Sequence, residues 1–290
     1  MTDIRAAEAH EEPRERPIWR SILTHVLLAA FSFAMLYPIL WMLSASLRPS
    51  GEIFGSTSLI PSQVQLQSYP EGWFGLRVSF GQFFVNSMVI AVLSVIGNVA
   101  ACSLAAFAFA RLNFPWKNFW FALMLGTLML PYHVTLIPQY VLFLNLGWVD
   151  TILPLVVPKF MATDAFFIFL MVQFFRGIPK ELDEAARMDG CSPFRIYWKV
   201  ILPLSLPVLA TAAIFSFLWT WDDFFGPLIY LNSMEDYTVQ LGLRSFIDAT
   251  GQSNWSGLFA MSILSLVPVF LLFIFFQRLL IDGIATTGMK

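Results

Sequence analysis

Long apolar runs, near residues 22–46, 83–110, 118–143, 148–175, 201–231 and 257–280, dominate this chain and leave it few folds. Crossing a hydrocarbon core of about 30 Å takes about 20 residues of helix, so each run is long enough to span a bilayer. Inside lipid every backbone polar group must be paired within the protein, which leaves helices or closed barrels. The alternating segments of about ten residues that a barrel requires are not seen. Composition agrees, since 58% of the 290 residues are hydrophobic and only 12% are charged, against about a quarter charged in a soluble domain. The expected fold class is an all-α, polytopic, six-helix membrane bundle.

Residues 1–20 mix Glu and Arg without apolar periodicity and are expected to form a disordered cytoplasmic tail, followed by a transmembrane domain over 21–290. The first apolar run is too long for a signal peptide, lacks a small-residue cleavage site and should stay as an anchor. Of the 17 Lys and Arg residues, only Arg48, Arg77 and Arg244 fall on the outer side when both termini are placed inside. Lys159 falls within a helix, and the remainder, Arg111, Arg187 and Lys199 among them, gather on the inner side. The positive-inside rule then predicts a multi-pass protein of the bacterial inner membrane with both termini cytoplasmic. A net charge of -2 argues against a nucleic-acid partner, which clustered basic excess would recognise. Cys102 and Cys191 fit neither a disulfide, a zinc site nor a haem site and read as small packing residues; no metal site is expected.

One dense charged stretch, "ELDEAARMDGCSPFRIYWKVILPLSLP" (181–207), interrupts the apolar pattern on the cytoplasmic side, between the fourth and fifth predicted helices. Pro179 precedes a first turn crowded with Glu181, Asp183 and Glu184, where carboxylates complement the helix dipole. Gly190 permits the left-handed residue that stops a helix, and Ser192 before Pro193 reads as a cap and restart. Two short helices meeting at an angle are expected over 176–200. Ala185 and Ala186 are small enough for a partner to close on the backbone, while Glu181 and Glu184 share a face one turn apart. From these residues alone, a docking helix and a solvated surface helix are equally open readings.

"EAARMDG", nine residues and then "VILP" resemble the signature loop of permease subunits of binding-protein-dependent ABC importers. Glu184, Ala185, Ala186, Gly190, Leu202 and Pro203 match the pattern, and Val200 stands where isoleucine is usual. "FVNSMVIAV", "AFAFARLNFPWKN", "MLPYHVTLIPQYVLFLNLGWVDT", "WTWDDFFGPLIYL", "YTVQLGL" and "QRLLIDGIATTGMK" are similar, in order, to the carbohydrate-uptake branch, the maltose-type second permease. The resemblance implies the type I ABC importer permease fold and a non-catalytic subunit that forms half of a sugar pathway. It implies a heterodimer with a second permease, two ATPase subunits that bind the ATP and Mg, and an extracytoplasmic solute-binding protein. Beyond membrane lipid and a small sugar it implies no ligand, and no cofactor in this chain. Within it, Glu181, Glu184, Ala185, Ala186, Asp189, Gly190 and Pro203 would couple to the ATPase, the stretch acting as a lever that reaches the fifth helix through Pro203 and Pro207. The absence of a G-x-x-x-x-G-K-[ST] phosphate loop is consistent with energy supplied from another subunit. Two departures stand out: Asp222–Asp223 where the family more often has Asn first, and a loosened C-terminal "TTGMK". The outer loops at 48–82 and 232–256, with Tyr237, Gln252 and Trp255, would face the binding protein.

Charged groups at membrane depth are expensive, so they pair or face water. Lys159 and Asp223 each lie about eight residues, roughly 12 Å, below the outer end of their predicted helices. That matched depth suggests a pair between Lys159 and Asp222 or Asp223, with outward snorkelling of Lys159 as the alternative. A sugar site needs flat apolar rings and a few orienting polar groups, which Asp164, Trp219, Trp221, Asp222 and Asp223 would supply; interfacial tryptophans and helix–helix hydrogen bonds are the structural alternative. His133 beside Pro131 is expected to be a buried, hydrogen-bonded residue before it is a ligand. Eight prolines in the apolar runs, from Pro131 to Pro268, each remove a backbone bond and predict kinks. Two rival classes use the same residues: a membrane-embedded transferase built on Asp164, Asp222 and His133, and a secondary transporter driven through those carboxylates. Neither needs the docking loop.

Overall fold

The structure, a computed structural model, describes residues 18–55, 58–247 and 253–288; most of the expected tail, Gln252 and Lys290 lie outside the described residues. The first apolar run forms α1 (Ile18–Ser46), with Pro38 inside it. A short helix α2 (Ser68–Phe74) leads to the long α3 (Phe80–Arg111), whose Ser79 side chain accepts the Gly81 N–H at 3.3 Å. That cap satisfies one of the amides a helix start leaves unpaired.

The third apolar run is not one helix but two, α4 (Lys117–Thr127) and α5 (Tyr132–Asn145), with Pro131 at the start of the second. The fourth is also broken. After α6 (Leu153–Val156), Val157–Met161 winds as a 3-10 turn, Ala162 takes φ 53°, and α7 (Ala165–Gly177) begins anew. Pro158 lacks the N–H that would continue the α-helix, and the Thr163 hydroxyl covers the Pro158 carbonyl at 2.9 Å.

The charged stretch forms α8 (Glu181–Met188) and α9 (Pro193–Ile196), then a π-helical turn over Tyr197–Ile201 and α10 (Leu202–Leu204). The chain bends by 79° at Ser205 into α11 (Leu206–Trp221), between Pro203 and Pro207 as their positions predict. Beyond a break at 222–224 come α12 (Phe225–Tyr230), α13 (Val239–Arg244) and the long α14 (Trp255–Gly288). Among the described residues, four helical stretches are long and apolar enough to cross a membrane, or five if the bent pair around Ser205 is one span. The expected spans at 118–143 and 201–231 are therefore interrupted helices.

At the centre, α3 packs against α7 and α11. Between Ala91 and Ala106 its buried residues are all small or slightly polar: Ala91, Ser94, Gly97, Asn98, Cys102, Ser103 and Ala106. Small residues let helix backbones approach, which is how helices associate where lipid is as apolar as leucine. One apolar cluster joins Phe107, Phe167, Met171, Phe175, Tyr197 and Ile201; a second joins Phe80, Phe83, Phe217, Trp221, Val239 and Met261. By contrast α1 rests mainly on α14 and exposes nearly every apolar side chain along its length. Such a surface is stable only against lipid or another apolar chain.

Candidate functional site

Two regions gather the singled-out residues. In the first, α8 projects from the end of the bundle where α3 and α7 finish. Glu181, Glu184 and Ala185 are exposed, and Ala186 is half-buried against the core beneath. The helix stops as its sequence dictates: Gly190 takes φ +77°, the Cys191 N–H reaches the Ala186 carbonyl at 2.9 Å, and the Gly190 N–H reaches that of Arg187 at 2.9 Å. This pair of bonds is the Schellman arrangement, which satisfies carbonyls that a helix end leaves open. Ser192 then accepts the Arg195 N–H at 3.4 Å, with Pro193 as first residue of α9. Leu182, Met188, Phe194 and Trp198 present exposed apolar groups around the exposed carboxylates, a mixture suited to a protein partner.

Asp183, on the opposite face of α8, is buried and meets Arg111 Nε at 3.5 Å, the two side chains being 7% and 2% exposed. Arg111 also donates to the Ile178 carbonyl at 2.7 Å. The base of α8 is thus tied to the end of α3. Sequence reasoning counted Arg111 only toward topology and Asp183 only toward the helix dipole. The available signal was that an acid in one helix's first turn and a base in another's last turn fall at the same end of the bundle.

The second region is a cavity of about 80 Å³ between α3, α7 and α11. Lys159, Asp164, Trp219 and Asp223 line it together with Asn98 and Ser216. The expected pairing of Lys159 with Asp222 or Asp223 is corrected: Lys159 Nζ lies 3.0 Å from Asp164 Oδ2. The 3-10 break folds Lys159 back toward the start of α7, bringing its nearer carboxylate within reach. Asp223 instead caps α12, its Oδ1 accepting the Phe225 and Gly226 N–H groups at 3.1 and 3.0 Å. Asp222 points elsewhere, 3.5 Å from Gln240 Nε2. Trp221 does not face the cavity either; it is 1% exposed, stacks on Phe217 and donates from Nε1 to the Ser265 carbonyl at 3.1 Å. Two positions earlier on the helix, Trp219 is 51% exposed and packs against Phe166, Phe167 and Phe215. Sequence reasoning passed over Asn98, whose Nδ2 donates to Ser216 Oγ at 2.9 Å in the buried wall. His133 is exposed rather than buried and meets the Phe225 ring edge-on at 5.4 Å. Roughly 300–1,000 Å³ is usual for a ligand pocket, and this cavity is well below that size.

Across the opposite end, Asp150 clamps two loops. Its carboxylate accepts the Asn232 and Ser233 N–H groups at 2.7 and 2.8 Å and the Ser233 hydroxyl at 2.6 Å. Asn86 Nδ2 donates to the Glu235 and Tyr237 carbonyls at 2.7 and 3.0 Å, fixing the loop expected to face outward.

A family model described as the binding-protein-dependent transport system inner membrane component matches residues 97–286. The arabinooligosaccharides transport system permease protein AraQ of Halalkalibacterium halodurans is 35% identical, over 94% of this chain and 98% of its own. The probable ABC transporter permease protein YurM of Bacillus subtilis is 31% identical over 98% and 93%. The sn-glycerol-3-phosphate transport system permease protein UgpE of Brucella abortus is 31% identical over 94% and 98%. Among solved structures, a bacterial ABC transporter involved in the import of the acidic polysaccharide alginate contains a chain of similar fold. Its TM-score is 0.79 at 23% identity, over 92% of this chain and 99% of that one.

Proposed function

This chain belongs to the family of binding-protein-dependent transport system inner membrane components, and from that premise we propose that it is one permease half of an ATP-driven sugar importer. The carbohydrate class is supported by relatives named for arabinooligosaccharides and sn-glycerol-3-phosphate. Both termini lie in the cytoplasm, on the reading of basic-residue placement. A second permease supplies the facing wall of the pathway, which the small, half-open cavity beside Trp219 and the Lys159–Asp164 pair lacks. Two ATPase subunits bind the nucleotide, an external binding protein delivers the sugar, and no catalysis resides in this subunit.

The observation that carries this reading is α8, a short helix with exposed Glu181, Glu184 and Ala185 whose base is tied to α3 through Asp183 and Arg111. ATPase closure moves α8 as a rigid body. The ion pair transmits that displacement to α3, and α9 with the π turn carries it into α11 at Ser205. The two walls of the pathway then move apart, provided the partners bind the two states unequally.

The assembled transporter in proteoliposomes, with ion gradients collapsed, should take up sugar only with ATP inside the compartment that α8 faces. Gradient-driven uptake without ATP would refute the proposal.

A further inference from the structure

At the end of the bundle that carries α8, the ends of α3, α4 and α7 enclose a cleft of about 750 Å³. Arg111, Lys117, Arg176 and Lys180 line it, and no carboxylate does. Arg111 is engaged by Asp183 and the Ile178 carbonyl. Among the described residues, none of the other three cations forms an ion pair. Lys117 donates to the Leu112 carbonyl at 2.7 Å, which leaves two of its N–H groups for another acceptor. Arg176 lies 5.1 Å over the Phe121 ring.

Like charges crowded into one cleft repel. The Lys117 ammonium is held below its usual range by desolvation first, then by Arg176 and Lys180. An anion entering the cleft relieves that repulsion. The rim says what carries the anion: Trp116, Phe119 and Trp120 are 75%, 55% and 50% exposed, at the start of an apolar helix. Exposed aromatic rings beside cations at a helix end mark the headgroup level of a bilayer. Trp116 holds this place with φ 62°, a left-handed conformation uncommon for a bulky residue.

We propose that this cleft binds the phosphate headgroup of an anionic phospholipid from the leaflet on the α8 side, with Lys117, Arg176 and Lys180 around the phosphate and Trp116 and Phe119 against the glycerol region. Basic pockets between helices at this level suit such headgroups. The site adjoins α8, since Lys180 immediately precedes Glu181, yet it does not depend on α8 docking an ATPase.

The test compares the full-length chain in nanodiscs of dioleoyl phosphatidylglycerol and of dioleoyl phosphatidylcholine, reading thermal unfolding and, by native mass spectrometry, the lipid retained. Wild type should retain phosphatidylglycerol and unfold at higher temperature with it. Each cation at an anionic leaflet is worth roughly a fivefold change in affinity, so Lys117→Gln should weaken the preference by about that factor and Lys117→Gln/Arg176→Gln should abolish it. Should the double variant fail to fold, the single one decides, because Lys117 lies at the cleft rim and not in the core. Equal retention of the two lipids by wild type, or an undiminished preference in Lys117→Gln, overturns the proposal. Equal stabilisation by inorganic phosphate in phosphatidylcholine discs would make it a soluble-phosphate site and overturn the lipid source. Loss of the preference when the complete transporter assembles would assign the cleft to the ATPase and overturn it as well.

Discussion

Individual residues set the tolerances of this protein. Gly190 sits at φ +77°, and an added Cβ there meets nothing within 4 Å, so Gly190→Ala meets only the backbone cost of the left-handed region, about 1–2 kcal/mol. Thermal unfolding of that variant should show a loss of this size; an unchanged midpoint would mean the stop of α8 is not held by that conformation. Arg111 and Asp183 behave differently because they are buried and their mutual geometry is loose, with Arg111 Nη1 and Asp183 Oδ1 lacking hydrogen-bond partners. Arg111→Ala leaves a carboxylate buried alone and should cost about 3–5 kcal/mol, whereas Arg111→Met with Asp183→Leu should recover most of it. The comparison is read from unfolding midpoints in mixed micelles. For Asp150, the Ser233 hydroxyl first and the Ser233 and Asn232 amides next hold the carboxyl below its usual range. A depressed folded-state pKa contributes stability above the unfolded value and loses it as pH falls through the folded one. Wild type should therefore lose stability below about pH 4, and Asp150→Asn should show a flatter profile there.

Elements are governed by where helices break and how closely they approach. An ordinary α-helix through Lys159 would point its ammonium away from Asp164; Pro158 and the left-handed Ala162 make the turn that lets them meet. The same 3-10 segment lies on α3 at Gly97, where a Cβ would come within 2.7 Å of the Phe160 ring and 3.1 Å of the Lys159 backbone. Gly97→Val should cost about 1–3 kcal/mol by overpacking and loosen the Lys159–Asp164 pair, seen as lower thermal stability with reduced uptake. On α8 the opposite separation is expected. Ala185 is exposed, so Ala185→Trp should leave the unfolding midpoint of the isolated chain in place while cutting transport and substrate-stimulated ATP hydrolysis about tenfold or more, as 1–3 kcal/mol of interface overpacking implies. Full activity in that variant would remove α8 from the coupling path.

At the scale of the whole molecule, two small cores joined along α3 and α11 support a surface rich in exposed apolar side chains, as suits a body held between lipid and partner subunits. Much of this was legible from residue order. The apolar runs dictate membrane helices because lipid offers the backbone no alternative partner, and Gly190, Ser192 and Pro193 dictate the stop and restart after α8 because those conformations are local. Pro203 and Pro207 foretold the bend at Ser205 for the same reason. What stayed hidden depended on rotation and reach between distant segments. Trp219 and Trp221 are chemically alike and two positions apart, yet a helix turns about 200° over that interval, so one faces the cavity and the other the core. Arg111 finds Asp183, and Lys159 prefers Asp164 to Asp223, only once the breaks in the chain have set each side chain's direction. The sequence alone determined which segments are helical, where they end and what solvent they require, since these follow from bonds within a few residues. Tertiary structure decided which charges meet and which faces close, because those outcomes depend on the relative placement of helices that no local bond controls.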